Sequence, residues 1–129
     1  MSKHIVIIDD DRDDIEFLQS AIQFLDPSVR CSAFTSPQDA LQSLSSNKTA
    51  PDVICVDYNM PVVNGVECLK LFSALRILNH TSMIASSSNM TPSLESEFRN
   101  QGAAYVFEKP SSMKGYQQVV SRILSEATA

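Results

Sequence analysis

Two short runs, Ile5-Val6-Ile7-Ile8 and Val53-Ile54-Cys55-Val56, are apolar at every position rather than at alternate ones. A strand with one wet face alternates; a strand covered on both faces does not, and parallel sheets flanked by helices meet that second condition. Further strands are predicted at 29–34, 83–85 and 105–107. Amphipathic stretches separate them. Ile15, Leu18, Ile22 and Leu25 recur at helical spacing behind an acid-rich first turn, and Val66, Leu69, Phe72 and Leu75 do the same in mid-chain. Ser36-Pro37 and Thr91-Pro92 each offer an N-cap followed by proline at the first helical position, the second opening a short helix around 94–98. Tyr116, Val119, Val120, Ile123 and Leu124 form the apolar face of a last helix. Strand and helix alternating five times give an α/β domain with a parallel sheet and helices on both faces.

A chain of 129 residues fits one domain with a real core, and 43% hydrophobic residues exclude a disordered one. A net charge of −5 leaves no basic face, so direct nucleic-acid binding is not expected. No apolar run reaches the length of a membrane span and the start lacks a signal-peptide pattern, which makes a soluble cytoplasmic protein with no membrane partner the expectation. Cys31, Cys55 and Cys68 have no C-x-x-C spacing and read as small apolar residues, with no metal or disulfide assigned to them. His4 and His80 read as surface residues flanking strands.

In open parallel sheets, ligands bind beyond the carboxyl ends of the strands. Asp9 and Asp10 stand at the end of the first strand, Asp57 at the end of the third, Ser86-Ser87-Ser88 after the fourth and Lys109 after the fifth. Acids, a hydroxyl and an amine therefore share one edge. Carboxylates with water and a phosphate oxygen suit Mg²⁺, or Mn²⁺ in its place, and a divalent cation would relieve repulsion among Asp9, Asp10 and Asp57. A carboxylate can accept a phosphoryl group as an acyl phosphate, while lysine and a hydroxyl hold phosphate oxygens. The set reads as phosphoryl transfer to aspartate.

The apolar run ending in "DDD", the segment "DYNMPVVNG", Ser87 thirty residues beyond Asp57, and "EKP" resemble, in order and spacing, the response-regulator receiver domain of two-component signalling. The likeness runs essentially end to end. It implies a flavodoxin-like (βα)5 three-layer sandwich with a five-stranded parallel sheet of order 2-1-3-4-5. It further implies phosphorylation of Asp57 by a histidine kinase or histidine phosphotransfer protein, with Mg²⁺ bound by Asp10, Asp57 and the backbone carbonyl of Asn59, and by Asp9 through water. Ser87 matches the switch hydroxyl, with Ser86 and Ser88 as its one-residue alternatives, and Lys109 matches the phosphate-pairing lysine. Asn59 and Asn89 match positions that tune dephosphorylation, and as neutral amides they suggest ordinary autodephosphorylation. The resemblance also suggests a cis peptide between Lys109 and Pro110. Met60 is expected to pack beneath the site, and Gly65 fits a backbone turn before the third helix.

Such a protein is a phosphoacceptor rather than an enzyme, catalysing only its own phosphorylation and dephosphorylation. With no segment left after the fifth helix, residues 1–129 read as a single receiver domain without an output domain, signalling through an unknown downstream protein. Asp11, Asp13 and Asp14 read as helix-start acids. Val106 stands where receivers commonly have an aromatic, flanked by Tyr105 and Phe107; strand alternation keeps either from substituting, so a muted or different switch is expected. A haloacid-dehalogenase-type phosphatase would need an acid where Asn59 stands, and its acidic pair comes late in the chain. A degenerate receiver, binding partners independently of phosphorylation, would be expected to lack acids or the lysine, and none is missing here.

Overall fold

A computed structural model describes residues 3–46 and 49–128. Elements run β1 (His4–Ile8), α1 (Arg12–Leu25), β2 (Arg30–Phe34), α2 (Pro37–Ser46), β3 (Val53–Asp57), α3 (Gly65–Ser73), a 3-10 turn (Arg76–Leu78), β4 (Ser82–Ser87), α4 (Pro92–Asn100), β5 (Ala103–Glu108) and α5 (Met113–Thr128). The strands form one parallel sheet in the order β2-β1-β3-β4-β5, the flavodoxin-like arrangement expected from the sequence. No helix among the described residues is long and apolar enough to cross a membrane.

The continuous apolar runs divide by parity. Ile5, Ile7, Val53, Cys55, Ile84 and Phe107 face α1 and α5, packing with Ile15, Leu18, Ile22, Val120 and Ile123. Val6, Ile8, Ile54, Val56, Ala85 and Val106 face the other side, packing with Ala40, Leu44, Leu69, Phe72, Leu94 and Phe98 from α2, α3 and α4. Every residue of β3 is buried, which explains why that run does not alternate. Burying two faces gives the sheet two cores, each worth about 1.5–3 kcal/mol per fully buried Ile, Leu or Phe side chain.

Helix ends follow local chemistry. The Asp11 carboxylate caps α1 by accepting from the backbone N–H of Asp13 and Asp14, and Thr91 caps α4 by accepting from Leu94 N–H, as read from the sequence. Ser36 Oγ accepts from Asp39 N–H at 3.4 Å at the start of α2. A reciprocal box closes α3: Glu67 N–H donates to Asn64 Oδ1 at 2.9 Å, and Asn64 N–H donates to Glu67 Oε1 at 3.0 Å.

Gly65 opens α3 at the turn where the sequence placed it, and close packing is what requires a glycine there. It is not required by a left-handed turn; a Cβ there would lie 2.5 Å from the Asp57 carbonyl oxygen and 2.9 Å from Tyr58 Cα. The glycine lets α3 start against the end of β3. The left-handed residue is Val62, with φ 72° and its side chain almost wholly exposed. Val63 N–H donates to Pro61 C=O at 2.8 Å across it, so Val62 is the centre of a three-residue turn with positive φ, a rare and strained form. For a β-branched residue that conformation is an outlier. Val62→Gly, which removes the Cβ at positive φ, is therefore expected to stabilise the fold by up to about 1 kcal/mol, read as a rise of up to about 3–5 °C in Tm. A lower Tm would show the turn to be unstrained.

Candidate functional site

Strand parity sets the direction of the site's side chains at the strand ends. Asp9, Asp57 and Lys109 continue the alternation of Ile5 and Ile7, of Val53 and Cys55, and of Tyr105 and Phe107, so all three side chains emerge on the α1–α5 side. The backbone stitches these tips together: Asp9 N–H donates to Phe34 C=O at 3.0 Å, Tyr58 N–H to Ser86 C=O at 2.8 Å and Lys109 N–H to Ser87 C=O at 2.9 Å. Asp9 and Asp57 are buried, and Asp10 is exposed above them. Asp10 and Asp57 border an open cleft of about 620 Å³ that is also lined by Arg12, Asn59, Ser88 and Lys109.

Lys109 Nζ donates to Asp9 Oδ2 at 2.8 Å and to Asp14 Oδ2 at 2.6 Å. It also lies 3.1 Å from Asp57 Oδ1, but as a charge contact without hydrogen-bond alignment, because that oxygen is buried with no hydrogen-bond partner. Burial, followed by the neighbouring charge of Asp9, pushes the Asp57 carboxyl up to about 6 against the pull of Lys109. Burial also raises Asp9 despite its bond to the lysine. For Lys109, burial acts to lower the pKa, but the hydrogen bonds to Asp14 and Asp9 and the nearby carboxylate charges outweigh it, and the net shift is upward.

One ammonium is too little for this many carboxylates. One oxygen from each of Asp9, Asp10 and Asp57 lies within 4.8 Å of the others, which is a cluster of hard donors fit for a small divalent cation. The orphaned Asp57 Oδ1 is the independent sign of fit, since a buried carboxylate oxygen without a donor is costly.

The structure thus brings together Asp9, Asp10, Asp57 and Lys109, with Asn59 on the rim. Ser87 is not with them. It falls inside β4 on the α4 side; its hydroxyl donates to Asn89 C=O at 3.2 Å and accepts from Asn89 N–H at 3.2 Å. Both residues border a neighbouring depression with Tyr58 and Thr91 that shares Asn59 with the acidic cleft, while Ser88, just past the end of β4, lines the acidic cleft itself. The Lys109–Pro110 peptide is trans, correcting the expected cis bond: none occurs among the described residues. Trans is the lower-energy isomer by about 0.5–1 kcal/mol even before proline. Met60 is buried, and it packs in the core on the α2–α4 side of the sheet.

Asp14 is the residue that sequence reasoning missed. Asp11 is a helix cap and Asp13 is exposed, as read, but Asp14 reaches Lys109. Its spacing held the clue, because Asp14 precedes Leu18 by four residues and so shares the inward face of α1. The aromatics flanking Val106 behave as alternation demands. Val106 packs on the α4 side, whereas Tyr105 stacks on Phe107 at 5.8 Å with Arg122 5.0 Å above its ring, on the α5 side.

The family model of the response regulator receiver domain matches residues 5–121. No curated protein matches the sequence. Among solved structures, the phosphorylated cyanobacterial phytochrome response regulator RcpA superposes with a TM-score of 0.87 at 19% identity, over 100% of this chain and 96% of that one. Chemotaxis protein CheY4 of Vibrio cholerae gives 0.81 at 20% identity, over 95% and 99%. The response regulator domain of Thermotoga maritima CheB gives 0.77 at 24%, over 99% and 95%. At these identities the likeness establishes the fold.

The upward shift of Asp57 has a signed consequence. Its folded pKa of about 6 exceeds the ordinary carboxyl value, so ionised Asp57 opposes folding; the penalty is complete above pH 6 and gone below about pH 4. Asp57→Asn is expected to stabilise the metal-free fold by about 1–3 kcal/mol at pH 7.5, the gain shrinking as pH falls through that window. Urea unfolding at several pH values measures it, and a gain independent of pH would exclude the titration.

Proposed function

The chain belongs to the response regulator receiver domain family, whose members are phosphoacceptor signalling domains, and on that premise we propose that Asp57 accepts a phosphoryl group from a phosphohistidine. The donor is a histidine kinase or a histidine phosphotransfer protein. An oxygen of the Asp57 carboxylate attacks phosphorus, the O–P bond forms as the N–P bond breaks, and the imidazole leaves with the electron pair and takes up a proton. The observation that carries this reading is the orphaned oxygen of Asp57, buried beside Asp9, Asp10 and the Lys109 ammonium.

Asp10, Asp57 and the Asn59 carbonyl are the groups we assign to Mg²⁺ or Mn²⁺, with Asp9 acting through water. The cation neutralises carboxylate and phosphoryl charge during transfer. Lys109 holds a phosphoryl oxygen as a point charge. Ser88 is already on the rim of the cleft, while Ser87, the switch hydroxyl, must turn from the Asn89 backbone to reach it. That turn would loosen the β4–α4 connection and bias the α4–β5–α5 surface toward a protein target. Asn59 and Asn89 can orient a water but cannot act as a base, which favours ordinary autodephosphorylation. The intact acid set and lysine argue against a degenerate, phosphorylation-independent receiver.

A small acyl phosphate with Mg²⁺ is expected to add one phosphoryl group, detected by intact mass. Chelation should abolish the addition, Mn²⁺ restore it, and Asp57→Asn remove it while leaving the fold intact. An unmodified, folded wild type under those conditions would favour the degenerate receiver. Because Arg122 and Phe107 retain Tyr105 on the α5 side, its ring resonances should stay largely unmoved when a phosphoryl mimic binds. A large inward swing of Tyr105 would contradict the altered switch expected from Val106.

A further inference from the structure

Lys109 touches the residue it would serve, but its aligned bonds go to other carboxylates. Its ammonium has three N–H donors; Asp9 and Asp14 take aligned bonds, and Asp57 Oδ1 at 3.1 Å gets none. The bond to Asp14, at 2.6 Å, is the shortest of these contacts. Asp14 does not come from a strand tip. It stands in the first turn of α1, a turn fixed by the Asp11 carboxylate, which accepts from Asp13 N–H at 2.9 Å and from Asp14 N–H at 3.3 Å. The lysine backbone is fixed in turn by its bond to Ser87 C=O. With both ends anchored, the Lys109 side chain is drawn toward α1. The side chains of Lys109 and Asp14 are 11% and 24% exposed, so water screens this pair less than a surface ion pair.

We infer that Asp14 is a positioning residue that holds Lys109 back from Asp57 and so limits how strongly the lysine pairs with a phosphoryl group there. The inference rests on the phosphoacceptor reading given above. A phosphoryl group on Asp57 must draw the ammonium from Asp14, or share it, before gaining full pairing. Asp14 thereby weakens the phosphorylated state relative to a site without it. Asp13 is the natural control: it carries the same charge one residue earlier and lines the same cleft, but its side chain is exposed and Lys109 pairs with Asp9, Asp14 and Asp57 instead.

Beryllofluoride in the presence of Mg²⁺ is the probe, titrated by NMR against wild type, Asp14→Asn, Asp14→Glu and Asp13→Asn. The Lys109 ammonium resonance of each ligand-free protein is recorded alongside. Asp14→Asn is expected to tighten beryllofluoride on the order of ten-fold, the effect of one recovered charge-assisted hydrogen bond, and to move the Lys109 resonance. Asp14→Glu, which keeps the charge, should restore wild-type binding, and Asp13→Asn should change both readouts much less. Weaker or unchanged binding in Asp14→Asn overturns the inference alone, as does an equal gain in Asp13→Asn, which would reduce the effect to net charge. A folded wild type that binds no beryllofluoride overturns the phosphoacceptor reading and this inference together.

Discussion

A single ammonium holds the carboxyl edge of this sheet together. Lys109 sits among Asp9, Asp14 and Asp57 at 2.8, 2.6 and 3.1 Å, in a place where water reaches only 11% of its side chain. Take the lysine away and buried carboxylates face one another without compensation, an arrangement that costs several kcal/mol per uncompensated ion. With it in place the edge is tolerable but still negative, and Asp57 retains an oxygen that nothing satisfies. The cleft therefore favours a cation, and in the proposed chemistry a cation accompanies the phosphoryl group that Asp57 receives.

The pleat decides which residues do what. Side chains on the α1–α5 side of the sheet carry the charge: Asp9, Asp57 and Lys109, reached from α1 by Asp14. Ser87 and Val106 point to the α4 side. There Ser87 ties to Asn89, Met90 N–H donates to Glu108 Oε1 at 3.0 Å, and Thr91 caps the helix. The turn from Ser87 to Asn89 links the two sides, since Ser88 within it lines the acidic cleft, while Tyr105 and Phe107 pack toward α5 and Val106 toward α4.

Legibility in the sequence followed the same division. Strands were readable because runs such as 5–8 and 53–56 are apolar throughout, whereas their order came from the resemblance to receiver domains; Asp9, Asp10, Asp57 and Lys109 were readable because each stands at or just beyond the carboxyl end of a predicted strand. Ser87 was harder. In "SSS" the composition is uniform, and only the point where β4 stops tells which hydroxyl faces the cleft. Asp14 was hidden by its neighbours, since a helix start rich in acids explains itself through the dipole and conceals one acid that reaches across to another element. The Gly65 contact depends on how closely α3 approaches β3, which no local pattern encodes.

The loop between β3 and α3 shows why strain is tolerated where it is. Asn59, proposed to offer its carbonyl to the cation, must keep that oxygen within a few tenths of an ångström of a hard-ligand position. Its surroundings are tied down on every side: Met60 is buried, Met60 N–H and Gly65 N–H both donate to Tyr58 C=O at 3.1 and 3.0 Å, and the Asn64–Glu67 box closes the helix start. Between these anchors the chain has to reverse within a few residues, and Val62 absorbs the reversal at positive φ. The cost thereby falls at an exposed residue, and Asn59 itself is not at positive φ. The strained valine and the close-packed glycine are thus two consequences of one demand, a short rigid path from Asp57 to α3.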